Sequence, residues 1–408
     1  MEQKKSSAKL KREITLIPLI LYGVGNIIGA GIYALIGEIS AISGYFIPLA
    51  FLFACIIVLF TALSYAELSS RYPLSAGVAV YTNKAFKSKN FSTIVGLFVA
   101  FNGMLFAATI IQGFNGYITV FADIPDFISS FLLLCFLCGV AIWGIEQSVK
   151  VAAFLTIVES LGLFIIIYVG VEHLPNTNLD FSNLIPAFNL SSYHLIILGA
   201  FLAFFAFTGF EDIVNIAEEV KEPNKTMPKA IVISLFICTI IYMMIAFLSI
   251  TVIEPDILAK SQAPLADVYK EATGNNPALL GTIGMLAMIN GALIQLIMVS
   301  RIFFGMSVQG WFPSVFQTIN PKTQTPIVAT ITATVIVYIF TLWMPLLTLA
   351  ELTSFFIFII FTIVNISLIK IKLSSTNEGE FFSVPLLIPI TAVILNITML
   401  TIELFSIL

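Results

Sequence analysis

Apolar residues run in long blocks along this chain, divided by short breaks that are polar or rich in Pro, Gly and Asn, such as "KEPNKTMPK" and "NPKTQTP". A helix needs about 20 apolar residues to cross the hydrocarbon core of a bilayer. Eleven blocks qualify: residues 14–37, 45–68, 91–121, 127–145, 149–171, 194–217, 229–253, 277–308, 326–344, 347–371 and 384–406. Neither a soluble domain nor a low-complexity linker separates them, so residues 1–408 are expected to form one all-α integral membrane domain.

Composition sharpens this reading. Of the 408 residues 59% are hydrophobic and 10% are charged, against roughly 25% charged in an ordinary soluble domain. No water-soluble fold keeps that much apolar surface inside, which excludes a soluble enzyme, a disordered protein and a nucleic-acid binder. The basic residues set an orientation. With the N-terminus in the cytoplasm and the blocks alternating, Lys260 and Lys270 fall outside and the remaining 17 of the 19 Lys and Arg fall inside, as the positive-inside rule requires. The expectation is a multi-pass protein of the cytoplasmic membrane with its C-terminus outside. The block after Arg12 continues past Leu35 with no small-residue cleavage site, so it reads as a retained first span and not as a signal peptide.

Conventional site chemistry is sparse. Cys55, Cys135, Cys138 and Cys238 lie inside apolar blocks, and His173 and His194 form no cluster with metal-ligand spacing. Neither a metal nor a cofactor is expected. A membrane-embedded enzyme needs His–Asp or Ser–His constellations at depth, and an ATP-driven motor needs a G-x-x-x-x-G-K-[ST] loop; the sequence has neither.

Two blocks are broken instead. The first carries "YGVGNIIGAGIY", with Gly23, Gly25, Gly29 and Gly31 inside nine residues, and the sixth carries "FFAFTGFEDIVNIAEE", with Thr208, Gly209, Glu211 and Asp212 inside the apolar stretch. Each glycine costs a helix interior about 1 kcal/mol, and carboxylates at membrane depth face a cavity or a partner. Plainer readings exist for each: Gly25 and Gly29 form a helix-packing G-x-x-x-G, and Glu211 and Asp212 cap a half-helix. Together the breaks mean more, because interrupted helices at corresponding places in two halves point to an inverted-repeat transporter with a midplane site. Unwinding a span frees N–H groups that suit a carboxylate and carbonyls that suit an ammonium group. An α-amino acid carries both.

"GVGNIIGAGIY", "FTGFEDIVNIAEEVKEPNKTMPKAI" and "SRIFFGMSVQGWFPSVFQTINPKTQTP" resemble the first-, sixth- and eighth-span signatures of the amino acid–polyamine–organocation permeases, and the likeness runs from about Ile14 to Lys372. The resemblance implies a leucine-transporter-like fold with a 5+5 inverted repeat: about 14–171, then about 194–371, with an extra helix at 384–406. It implies secondary active transport of an amino acid, with an amine, polyamine or amino acid exchanger of the same fold as the alternative. It places the substrate carboxylate on backbone amides at Gly29, Ala30 and Gly31, and the amino group on carbonyls at Ile27, Phe205 and Thr208. It makes Phe205 an aromatic gate and Glu211 an acidic residue of proton-coupled members, with Asn26 beside the side-chain pocket.

The sequence departs from that family where many members carry a fifth-span lysine, because "VAAFLTIVESLGLF" has Glu159 there. Glu159 lies nine residues beyond Lys150, about 14 Å deep at about 1.5 Å per residue, with no Lys or Arg at that depth in any block. A lone carboxylate there is costly when charged and neutral when sealed, so Glu159 or Glu211 is expected to carry a coupling proton, sodium being the lesser candidate. Glu38, Glu351 and Glu403 read as wetted residues near outer ends. Glu67 and Arg71 read as an ordinary surface pair, and Arg301 with "GWFP" as part of an inner gate region.

Overall fold

The computed structural model describes residues 12–73, 77–143, 145–177, 179–308, 310–374 and 381–407. The lysines Lys4, Lys5, Lys9 and Lys11, which entered the orientation argument, lie outside these residues. The described residues are helical apart from turns, loops and one isolated backbone bridge, and nine of their helical stretches are long and apolar enough to cross a membrane. The first expected block is two helices, α1 (Leu16–Ile27) and α2 (Ala30–Ser43). Then follow α3 (Ile47–Arg71), α4 (Gly77–Phe86), α5 (Lys89–Ile118), α6 (Asp126–Trp143) and α7 (Ile145–His173). The sixth block opens as α8 (Leu190–Ala203) and continues in two 3-10 segments, Phe204–Phe207 and Phe210–Glu219. After it come α9 (Pro223–Val252), the short α10 (Pro255–Leu258) and α11 (Pro264–Thr273), α12 (Ala278–Val308), α13 (Ile327–Trp343), α14 (Leu346–Ser374) and α15 (Leu387–Ile407).

The count of nine differs from the eleven blocks for two local reasons. α2 and α3 are joined through Gly44 (φ 53°) by a single 3-10 turn, Gly44–Phe46, and so count as one stretch, and α13 is shorter than the other long helices. α4, α10 and α11 are helices that hydropathy does not reveal, because they are too short or too polar to span.

The most extensive helix pairs are α3 with α9 and α5 with α12. α1 packs on α9 while α8 packs on α3, and α14 packs on α5 while α7 packs on α12. Large side chains such as Phe131, Phe136, Phe154, Phe164 and Phe236 are more than half exposed on the outer helix faces. Such a continuous apolar exterior suits lipid and not water.

Glu67 is a correction to the surface-pair reading. It is fully buried, and it accepts from Arg71 (2.8 Å to Nε), from Lys372 (2.7 Å to each carboxylate oxygen) and from the Val384 N–H (2.8 Å). One carboxylate therefore ties α3 to α14 and to the segment entering α15. Glu403 departs from its expectation in the same sense, since it is buried, whereas Glu38 and Glu351 are half-buried.

Candidate functional site

The break in the first span is two residues long. Helical hydrogen bonding ends with the Ile28 N–H on the Val24 carbonyl, Ile28 and Gly29 adopt extended backbone, and α2 restarts at Ala30 with no side-chain cap. In the sixth span Thr208 is extended and Gly209 has φ 120°, a conformation that suits glycine. The Gly209 N–H is capped by Glu211 Oε2 at 2.9 Å, so Glu211 fills the role of a half-helix cap.

The two breaks meet. A Cβ on Gly31 would lie 2.8 Å from the Ala206 Cα, and a Cβ on Gly209 would fall against the Asn26 carbonyl oxygen. On one side of the breaks the chain before α1 pairs with the end of the sixth span: the Glu13 and Ile14 N–H groups donate to Glu219, and the Lys221 N–H donates to Ile14. On the other side α2 packs against α8 and the Phe204–Phe207 segment. The two spans therefore pass the breaks running in opposite directions. Tyr242, from α9, sits behind the junction, and its hydroxyl is shared between the Ile27 carbonyl (2.6 Å) and the Ala206 carbonyl (2.9 Å).

Between the breaks lies a cavity of about 40 Å³, lined by residues 25–31, by Phe205, Ala206, Thr208, Gly209 and Asp212, and by side chains of α5, α7 and α12. Of the residues singled out in the sequence, Asn26, Ile27, Gly29, Ala30, Gly31, Phe205, Thr208 and Glu159 all line it; Glu211 does not, being turned to the Gly209 amide. At about 10–15 Å³ per water, the space holds roughly three waters, so a larger occupant enters only if the walls part. Phe205 stacks flat on Phe106 of α5, with ring centroids 4.3 Å apart and planes 5° from parallel.

Polar groups are poised around this space. Glu159 Oε1 accepts from Asn290 Nδ2 (3.1 Å), which also donates to Thr156 Oγ1 (3.0 Å). Tyr33, on α2, donates its hydroxyl to the Glu159 backbone carbonyl at 2.6 Å, tying the restart of the first span to α7. Glu159 Oε2, Thr208 Oγ1, Asn290 Oδ1 and Gln295 Oε1 are buried without a hydrogen-bond partner among the described residues. Each such atom costs about 1–3 kcal/mol, and four around one cavity mark a place built for a polar occupant.

Asn290, Gln295, Phe106 and Tyr242 escape the sequence reading. For Asn290 and Gln295 the signal is present, since "MINGALIQ" sets two amides in an apolar span. For Phe106 and Tyr242 nothing distinguishes them from other buried aromatics until packing is known.

Comparison with known proteins gives a consistent picture. A family model described as amino acid permease matches residues 14–407. The chain is 29% identical over 398 residues to a branched-chain amino acid permease of Bacillus subtilis, covering 92% of this chain and 84% of that one. It is 28% identical to a mitochondrial cationic amino acid transporter of Arabidopsis thaliana and 27% identical to a vacuolar one, covering 89% of this chain in both cases. It spans 63% and 64% of the length of those two plant proteins.

Proposed function

The chain belongs to the amino acid permease family, and on that premise we propose that it carries an α-amino acid across the cytoplasmic membrane by alternating access, coupled to a proton. It is a transporter and not an enzyme. The observation that carries the reading is the meeting of two interrupted spans around a small cavity whose wall holds buried polar atoms with no hydrogen-bond partner among the described residues. The start of α2 offers uncapped backbone amides at Gly29, Ala30 and Gly31 to a carboxylate. The ammonium group is received by the carbonyl of Thr208 and by the remaining lone pairs of Ile27, whose other is taken by Tyr242, and of Phe205, whose other accepts from the Thr208 N–H. Asn26 lies beside the substrate side chain, and Phe205 on Phe106 closes the site from one side.

The 5+5 inverted repeat is part of the proposal. Its support is the packing: α3 is the second span and α9 the seventh, α5 the third and α12 the eighth, so each of the two largest contacts joins an element to its counterpart five spans on. The antiparallel passage of the two breaks fits the same relation, as do eleven spans with the N-terminus inside and the C-terminus outside.

Glu159 is the residue we assign to the coupling proton, because its Oε2 is buried at the cavity wall with no hydrogen-bond partner among the described residues, while Glu211 is engaged in capping the Gly209 amide. Purified protein in proteoliposomes tests this. Branched-chain and cationic amino acids, the substrates named for its relatives, are offered under an imposed pH gradient or an imposed sodium gradient. Acceleration by external acid supports the proposal; acceleration by sodium alone refutes proton coupling, and no uptake of any amino acid refutes the function.

A further inference from the structure

A second cavity, of about 1010 Å³, opens on the surface away from the site, at the end of the molecule where α3 finishes and α9 begins. The exposed Arg12, Lys225 and Lys229, with Glu222 beside them, form its charged rim, and Leu63, Ile233 and Phe382 also line it. Lys225 lies 3.8 Å from Glu222, whereas Arg12 and Lys229 have no ion-pair partner among the described residues.

The rim is built and not incidental. Arg12 precedes the backbone bridge in which Glu13 and Ile14 donate to Glu219, so its Cα is anchored beside the start of α9. Ser70, at the end of α3, accepts from the Phe382 N–H (2.8 Å) and donates to the Asn224 carbonyl (3.1 Å), which ties three walls together.

Below the rim, one face of α9 continues as an apolar stripe. Lys229 is followed at helical spacing by Ile233, Phe236, Ile240 and Met244, with exposures of 37%, 64%, 44% and 39%. The surface thus offers cations at one end and a continuous apolar track running toward the middle of the bilayer. Free anions have no use for the track, and a neutral lipid has no use for the two cations.

We propose that this groove binds an anionic phospholipid of the cytoplasmic leaflet, its phosphate between Arg12 and Lys229 and one acyl chain along the Ile233–Met244 face of α9. The bound lipid clamps the segment leading into α1 to the start of α9, at the base of the interrupted spans. Each basic residue at a membrane surface is worth about fivefold in affinity for an anionic headgroup, so removing both cations weakens binding about thirtyfold.

The test titrates purified full-length protein in neutral detergent with phosphatidylglycerol, with phosphatidylcholine and with inorganic phosphate, reading the thermal unfolding midpoint. A ligand bound only to the folded state raises that midpoint. Phosphatidylglycerol is expected to raise it in the wild type at about thirtyfold lower concentration than in Arg12→Gln/Lys229→Gln, with no effect of phosphatidylcholine or phosphate. Lys229→Gln alone is expected to show about a fivefold displacement, which keeps the test valid if the double variant does not fold. Equal responses of wild type and variants, no response of the wild type, or an equal response to inorganic phosphate each overturn the proposal.

Discussion

Replacing Gly209 by alanine and, separately, Gly29 by alanine separates what the backbone breaks do for folding from what they do for a substrate. Gly209 sits at φ 120° and its added Cβ would fall against the Asn26 carbonyl oxygen. The strained backbone costs about 1–3 kcal/mol, and pushing the first span away costs about 1–3 kcal/mol more, for a total of roughly 2–6 kcal/mol. Gly29 has ordinary extended backbone, and its Cβ would meet nothing within 4 Å. Its replacement is expected to leave stability within about 1 kcal/mol of the wild type while putting a methyl group into a cavity of about 40 Å³. Thermal unfolding in detergent and amino acid uptake in proteoliposomes are the two readouts. Gly209→Ala is expected to lose both stability and uptake, and Gly29→Ala to keep stability and lose at least tenfold in uptake. Wild-type behaviour of Gly209→Ala in both assays would refute the contact between the breaks; full uptake by Gly29→Ala would remove the cavity from the transport path.

Three further outcomes follow from named contacts. Tyr242→Phe removes the hydroxyl shared by the Ile27 and Ala206 carbonyls and is expected to cost about 1–3 kcal/mol; an unchanged unfolding midpoint contradicts the bridging role. Glu159→Gln keeps the side-chain shape and removes the proton exchange, so substrate binding measured by thermal shift persists while uptake stops responding to external acid. A variant that still accelerates in an imposed proton gradient moves the coupling group elsewhere. Glu67→Ala takes the carboxylate away from the Lys372 ammonium, whose side chain is only 11% exposed, and from one side of Arg71, at a cost of about 3–5 kcal/mol. Glu67→Ala/Lys372→Ala is then expected to be less destabilised than the single variant, which chemical or thermal unfolding reads directly.

The breaks were legible because glycine leaves a mark on sequence: four in nine residues, and Thr-Gly beside two acids, are costly inside a spanning helix unless the helix stops. The stops at Ile28–Gly29 and Thr208–Gly209 fall inside those stretches. The plainer reading of Glu211 also describes part of its role, since its carboxylate caps the Gly209 amide. What could not be read was everything that depends on which helices touch. Tyr242 is one of several aromatics in an apolar span, and only the packing of α1 on α9 brings it under both carbonyls. Glu67 and Arg71, four apart, look like a surface pair until Lys372, some three hundred residues on, is seen to arrive at the same carboxylate. α4 and α11 lie between spans, and their polar faces hide them from a hydropathy scan.

The claim on which the rest depends is that bare peptide groups at two meeting breaks hold both charged ends of one small molecule. Equilibrium binding of the best-transported amino acid, measured beside its decarboxylated amine and its N-acetyl derivative, tests it most directly. Binding that falls by two or more orders of magnitude for both analogues is the predicted result; an analogue lacking either charged end that binds as tightly as the parent contradicts the account.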